Sequence, residues 1–346
     1  MDSSPLPPQA ARPEPATVAD VARLAGVSPA TVSRILNGTA RVADDKRRAV
    51  EAAIQKLKFR PNLSARGLRS GSTHTIGVLT QELESPYFAS AAKGVDDALT
   101  GSGYAPIVVP GHWNPQEELE RVALLTARKV DALIVLGGRL GDAQIAELAQ
   151  RQPVAVVGRR TSVPGVFSFC QDQVEGGRLA TEHLIALGHR RIAHIAGPAN
   201  HVDAHERQEG FMLAHRQAGL SVDPSLIVEG DFMEGGGIAA MNALLDAGPG
   251  FTAAFCANDQ TLWGAQLALH RRGLAVPAAM SLVGFDDLPQ SQYMSPPVTT
   301  VRQHTFAMGR AAAWALLAQL GAAAGREAPT VPPIRLEVRE TSAPPK

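Results

Sequence analysis

The chain has little of what marks a membrane protein, a disulfide-stapled secreted domain or an enzyme. Its 346 residues include two cysteines, Cys170 and Cys256. They stand far apart in apolar surroundings, where buried, reduced thiols are the expectation. No apolar run is long enough to cross a bilayer. The opening MDSSPLPPQAARPEPA is rich in Pro and Ala and lacks the apolar core of a signal peptide. Residues 1–16 therefore read as a disordered tail and the protein as cytoplasmic. There is no G-x-S-x-G elbow, no P-loop and no G-x-G-x-x-G, and the Gly235–Gly237 run lacks phosphate-loop spacing. No catalytic residue and no cofactor is assigned, and an enzyme reading would rest on fold alone.

Net charge is also lacking, with 33 basic and 33 acidic side chains, but the balance conceals an asymmetry. Residues 17–70 hold eleven Lys or Arg against four Asp or Glu, so the remainder carries an equal acidic surplus. A small basic head on an acidic body is the electrostatic footprint of a nucleic-acid-binding module. The head opens with TVADVARLAGVSPATVSRILNG, residues 17–38. Val18, Val21, Ala22 and Ala25 form one helical stripe, Gly26 permits a sharp turn, and Ser28 and Pro29 suit the start of a second helix. Val32, Ile35 and Leu36 face inward, which leaves Pro29, Ala30, Thr31, Ser33 and Arg34 outward. That pattern is a helix-turn-helix, whose second helix enters the DNA major groove; the alternative is an ordinary helical hairpin. A third helix from Asp44 or Asp45, buried through Val50, Ala53, Ile54 and Leu57, would stop at Pro61. Residues 61–73 read as a hinge.

From Thr75 short β-branched runs alternate with helical patterns. Strands are expected at Thr75–Leu79, Pro106–Val109, Ala132–Leu136 and Val154–Val157. A second series lies at Arg191–Ile195, Leu226–Val228, Thr252–Cys256 and Met280–Gly284, with helices such as Phe88–Leu99 and Gly176–Leu187 between. Two such series imply two doubly wound parallel-sheet subdomains with a ligand cleft between them. FTAAFCAND and MSLVGFDD end strands in Asn258, Asp259, Asp286 and Asp287, groups suited to hydroxyl-rich ligands. Asp259 and Asp287 serve equally well as helix caps. Phe232 suits either a sugar platform or the core. His201, Asp203 and His205 lie at helical spacing, but no further ligand is evident, so no metal is assigned.

Landmarks in this order resemble the lactose/galactose repressor (LacI/GalR) family from Thr17 to about Glu340. Beyond the helix-turn-helix they are RPN at Arg60–Asn62, IGVL from Ile76 and EHLIALGHRRIAHIAGP at Glu182–Pro198. FCANDQ, SLVGFDD and PPVTTVRQ follow. The resemblance implies a core like the periplasmic sugar-binding proteins. One subdomain would span about 74–173 and 302–330, the other 174–301 and 331–340. It implies base reading by Pro29, Ala30 and Arg34, with Thr17, Ser28, Thr31, Ser33 and Asn37 on phosphates. Asn62, Ala65 and Leu68 would belong to a hinge helix in the minor groove. Gly67 departs from a good helix former there, at up to about 1 kcal/mol relative to Ala. The implied effector set is Tyr87, Phe88, Arg207, Phe232, Asn258, Asp286 and Gln303. Asp172 is a weaker candidate, because Gln171-Asp172 stands where many members carry Asp-Asn. The ending TSAPPK carries no leucine heptad, so a homodimer is expected rather than a tetramer.

The leading expectation is a bacterial, nucleoid-associated repressor that binds a pseudo-palindromic operator and responds to a small sugar. A purine-responsive regulator of the same fold is the alternative, with Tyr87 and Phe88 suited to a base. A sugar-binding transport protein ranks lower, because the basic head has no place in it.

Overall fold

A computed structural model describes residues 16–37, 42–59, 71–248 and 250–346. The chain divides into two compact units, one ending at Thr73 and one spanning His74–Lys346. The first holds α1 (Val18–Ala25), α2 (Pro29–Asn37) and α3 (Asp44–Leu57). Thr17 and Asp20 form a capping box at the start of α1, and Gly26 ends it in the left-handed region at φ 65°. Ser28 Oγ accepts the Thr31 N–H at 3.2 Å and so caps α2. Val21, Ala22, Val32, Val50 and Ala53 form the core, closed by Phe59, which the periodicity did not assign. Lys58, at φ 48°, ends α3 ahead of Pro61, where the sequence had placed the stop. The expectations for the tail before Ala16, for Asn62, Ala65, Gly67 and Leu68, and for most of the hinge lie outside the described residues.

The second unit carries two sheets. The first orders β2 (Ala105–Pro110), β1 (Thr75–Thr80), β3 (Ala132–Leu136), β4 (Val154–Val157) and β5 (Val166–Phe169), all parallel. Helices α4 (Pro86–Leu99), α5 (Pro115–Ala127) and α6 (Asp142–Ala149) connect its strands. The chain then passes through α7 (Gln173–Ala186) into the second, six-stranded sheet, whose first four strands are β6 (Ile192–Ala196), β7 (Ile227–Glu229), β8 (Ala253–Cys256) and β9 (Ser281–Asp286). Helices α8 (Val202–Gln217), α9 (Glu234–Ala247) and α10 (Asp259–Arg271) link them. After β10 (Thr300–Arg302), α11 (Thr305–Gln319) crosses back to pack on the first sheet, and β11 (Arg335–Glu337) returns to pair antiparallel with β10.

Each sheet is apolar on both faces because helices cover both. Ile76, Val78 and Ile134 pack on α4 and α11, while Leu79, Leu133 and Val135 pack on α5 and α6. In the second sheet Ile195 and Ala254 pack toward α9 and α10, and Phe255 and Val283 toward α7 and α8. The packed chain continues past residue 340. The Leu282 N–H donates to Thr341 O at 2.7 Å, and the His189 ring joins Thr252 to the Ala343 carbonyl. Among the described residues no helix is long and apolar enough to cross a membrane.

Candidate functional site

The first unit presents one chemically distinct face. Val32 is fully buried, which turns Ser28, Pro29, Ala30 and Arg34 to the exposed side of α2. Thr31 and Ser33 are half-buried beside them, and the side chain of Asn37 lies outside what the structure describes. Three of the expected phosphate contacts, Thr17, Ser28 and Thr31, already have local duties. Thr17 Oγ1 donates to Asp20 at 2.6 Å, and Ser28 Oγ lies 2.9 Å from Thr31 Oγ1. Arg34 and the apolar Pro29 and Ala30 lie exposed together on this face.

In the second unit the strand ends of both sheets meet at a cleft of about 660 Å³. At its floor Arg207 of α8 is buried, with its guanidinium carbon 3.9 Å from the Phe285 ring centroid and 5.5 Å from that of Phe232. A closed polar circuit holds it. Arg207 Nε donates to Gln173 Oε1 at 2.9 Å, Gln173 Nε2 to Gln303 Oε1 at 2.7 Å, and Gln303 Nε2 to Asp286 Oδ1 at 2.7 Å. Asp286 Oδ1 lies 3.6 Å from Arg207 Nη2, which completes the ring. Gln173 and Gln303 stand at the first two crossings between the sheets, so the circuit ties both crossings to the floor.

Asp286 sits at φ 104° and Asp287 at φ 54°, a strained strand end of the kind retained where side-chain direction matters. Burial pushes the Asp286 carboxyl up to about 6, against the pull of Arg207 and the Gln303 hydrogen bond. Burial likewise raises Asp203, 3.9 Å from Arg207 Nη2, despite that guanidinium. One cation thus faces two carboxyls. Among the described residues no donor is bonded to Asp286 Oδ2.

Six of the eight expected effector residues line the cleft: Tyr87, Phe88, Arg207, Phe232, Asn258 and Asp286. Burial raises the Tyr87 phenol above its ordinary range. Asn258 caps α10, accepting the Thr261 N–H at 2.9 Å while donating to Phe232 O at 2.9 Å, so it steadies the Phe232 loop. The structure does not bring Asp172 or Gln303 to the wall. Asp172 caps α7 through the Glu175 N–H, and Gln303 is buried behind Asp286. Asp259 and Asp287 take structural duties. Asp259 accepts from Leu288, Ser291 and Thr300, and Asp287 pairs with Arg302 and Arg339.

Sequence reasoning missed Gln173, Trp113, Arg139 and Asn200, and weighed His201 only as a metal ligand. Trp113 and Arg139 follow strands β2 and β3, so the strand-end rule that found Asp286 would have reached them. Among the described residues no three His, Cys, Asp or Glu side chains are placed to hold a metal. Cys256 is buried and its thiol pushed up by desolvation, but Cys170 is half-buried on the cleft wall. That corrects the expectation of two buried thiols: Cys170 follows the edge strand β5, which ends at the cleft.

Residues 17–62 match the family model for bacterial regulatory proteins of the lacI family. Residues 73–338 match that for periplasmic binding proteins and the sugar binding domain of the LacI family. The HTH-type transcriptional regulator GalR of Escherichia coli is 36% identical over 305 residues, covering 88% of this chain and 89% of GalR. The HTH-type transcriptional repressor PurR of Haemophilus influenzae is 36% identical over 311 residues, covering 88% and 91%. Among solved structures, the lac repressor dimer bound to operator and the anti-inducer ONPF is similar at 30% identity and a TM-score of 0.84. It covers 95% of this chain and 100% of its own. A CelR–cellobiose complex is similar at 34% identity and a TM-score of 0.69, covering 96% and 100%. The helix-turn-helix and the two-sheet core, matched in order along nearly the whole chain, make this protein a member of the LacI family of bacterial DNA-binding transcriptional regulators.

Proposed function

We propose that the chain is a repressor that holds a pseudo-palindromic operator as a homodimer and is controlled by a small carbohydrate in the core cleft. The observation that carries the ligand class is the polar circuit. It aims a carboxylate with one oxygen open, and a guanidinium beside it, at a space bordered by Phe232. A carboxylate accepts paired hydroxyl protons, a guanidinium donates to hydroxyl oxygens, and an aromatic ring covers the C–H face of a sugar. Arg34, Pro29 and Ala30 supply the base-reading set, and the dimeric assembly of the similar lac repressor supports a two-fold arrangement. The aromatic wall of Tyr87, Phe88 and Trp113 favours a purine as the second reading, as does the likeness to PurR.

Thermal melting of the full chain against a panel of sugars, sugar phosphates and purines separates the two. A ligand at a hundred times its Kd stabilises the folded state by about 2.7 kcal/mol. The expected result is a sugar hit whose shift shrinks in Asp286→Asn. A purine hit overturns the carbohydrate assignment, and a sugar shift that is unchanged in Asp286→Asn removes Asp286 from the binding set.

A further inference from the structure

Two buried polar side chains outside the cleft have no part in the circuit above. Gln81, directly after β1, and Glu118, in the first turn of α5, are both fully buried and line no part of the cleft wall. Each holds a loop that does. Gln81 Oε1 accepts the Trp113 N–H at 2.8 Å, and its main-chain carbonyl accepts the His112 N–H at 3.1 Å. The Glu118 carboxylate accepts the Arg139 N–H at 2.9 and 3.0 Å and the Leu140 N–H at 3.1 Å.

The two loops close tightly on this pair. A Cβ at Gly138 would lie 2.7 Å from Gln81 Nε2 and 2.9 Å from Glu118 Oε2, and a Cβ at Gly111 would lie 2.6 Å from Glu118 Cγ. His112 and Trp113 are held in the left-handed region, at φ 52° and 55°, where non-glycine residues stay only if their surroundings fix them.

The residues so held are the ones that reach across the cleft. The Trp113 ring meets His201 edge-on at 4.8 Å between centroids, and Arg139 Nη2 donates to Asn200 Oδ1 at 3.1 Å. Asn200 and His201 form the entrance to α8, the helix that carries Arg207. We propose that Gln81 and Glu118 are positioning residues, which hold Trp113 and Arg139 against His201 and Asn200 and so latch the two halves of the core together across the cleft. The proposal rests on the cleft being the ligand site only for what the latch serves, namely to set how readily the cleft opens to a ligand.

The test reads the latch with no ligand added. The full chain, labelled with 5-fluorotryptophan, gives three ¹⁹F resonances, from Trp113, Trp263 and Trp314, with Trp113 assigned through Trp113→Phe. Gln81→Leu and Glu118→Leu remove the acceptors, and both are expected to move the Trp113 resonance while Trp263 and Trp314 stay in place. Glu118→Gln, whose amide oxygen can keep the Arg139 and Leu140 bonds, is expected to restore it toward the parent position. If the leucine variants do not fold, His201→Ser, which keeps a capping oxygen for α8, and Asn200→Ala decide the matter from the cleft rim. Each is expected to move Trp113 alone. A Trp113 resonance unmoved by the rim substitutions overturns the proposal, as do three resonances that move together in the leucine variants. Because no ligand enters the measurement, a failed latch leaves the ligand assignment standing. A ligand panel without a hit likewise leaves the latch result intact.

Discussion

Only 4% of the Arg207 side chain meets solvent. Burying an ion costs several kcal/mol unless hydrogen bonds and an opposite charge compensate. Here Gln173, the Ala257 carbonyl, Asp286 and the Phe285 ring supply that compensation. Replacing Arg207 with Ala would strand Asp286 and cost about 3–5 kcal/mol, so lost binding there would be mixed with lost stability. Asp286→Asn keeps the shape and isolates the charge. Burial pushes the Asp286 carboxyl up to about 6 from an ordinary value of 3.8. Its folded-state value is raised, so its contribution to stability is present below the unfolded value and is lost as pH rises through about 6. Ligand binding that needs the carboxylate runs the other way. Affinity is expected to weaken about tenfold between pH 7 and pH 5, measured by calorimetric titration, and to become flat with pH in Asp286→Asn. Equal pH dependence in both proteins would show that another group governs binding.

Among the helices, three pairs are joined by reciprocal glycines. A Cβ at Gly94 would lie 2.0 Å from Phe306 O, and one at Gly309 would lie 2.1 Å from Ala91 O, joining α4 and α11. Gly177 and Gly210 join α7 and α8 in the same way, with distances of 2.2 and 2.1 Å to backbone oxygens. Gly237 and Gly264 join α9 and α10 at 2.1 and 2.0 Å. The glycine run in α9 therefore has one member that cannot change and one that can, since a Cβ at Gly235 meets nothing within 4 Å. Gly237→Ala is expected to destabilise by at least the 1–3 kcal/mol typical of overpacking, that is about 2–4 °C in Tm per kcal/mol. Gly235→Ala is expected to stabilise by about 0.5–1 kcal/mol through helix propensity. Equal melting shifts in the two variants would contradict the packing argument. In the head, Arg34→Ala is expected to relax preference at one half-site position at a cost of about 1–3 kcal/mol, read by competition binding across operator variants. A uniform loss over all variants would make Arg34 a phosphate contact instead. Legibility in the sequence followed element length and burial. Strands such as Ala132–Leu136, buried along their whole length, show as apolar runs. Val166–Phe169, Thr300–Arg302 and Arg335–Glu337 are three or four residues long, incompletely buried and without a repeating signal, and were missed.

For the whole chain, the fold class was readable because two series of apolar strands, each interleaved with helices, admit few arrangements. The cleft was legible only where a side chain sits at a strand end or in a family motif. Gln173 lay hidden because its role depends on meeting Gln303 across a sequence separation of 130 residues. Asp172, beside it, drew attention through the motif and proved to be a helix cap. The basic surplus in residues 17–70 and the acidic surplus elsewhere give the chain a DNA-seeking head and a body with no such pull. Control by a ligand then requires a free-energy coupling between cleft and head, and such coupling is reciprocal. The measurement that bears on this most directly is the affinity of the cleft ligand with and without saturating operator DNA, the DNA having been selected from a random pool by the full chain. DNA is expected to change ligand affinity by the same factor as ligand changes DNA affinity, about 5- to 150-fold. Identical ligand affinity in the two conditions would contradict it.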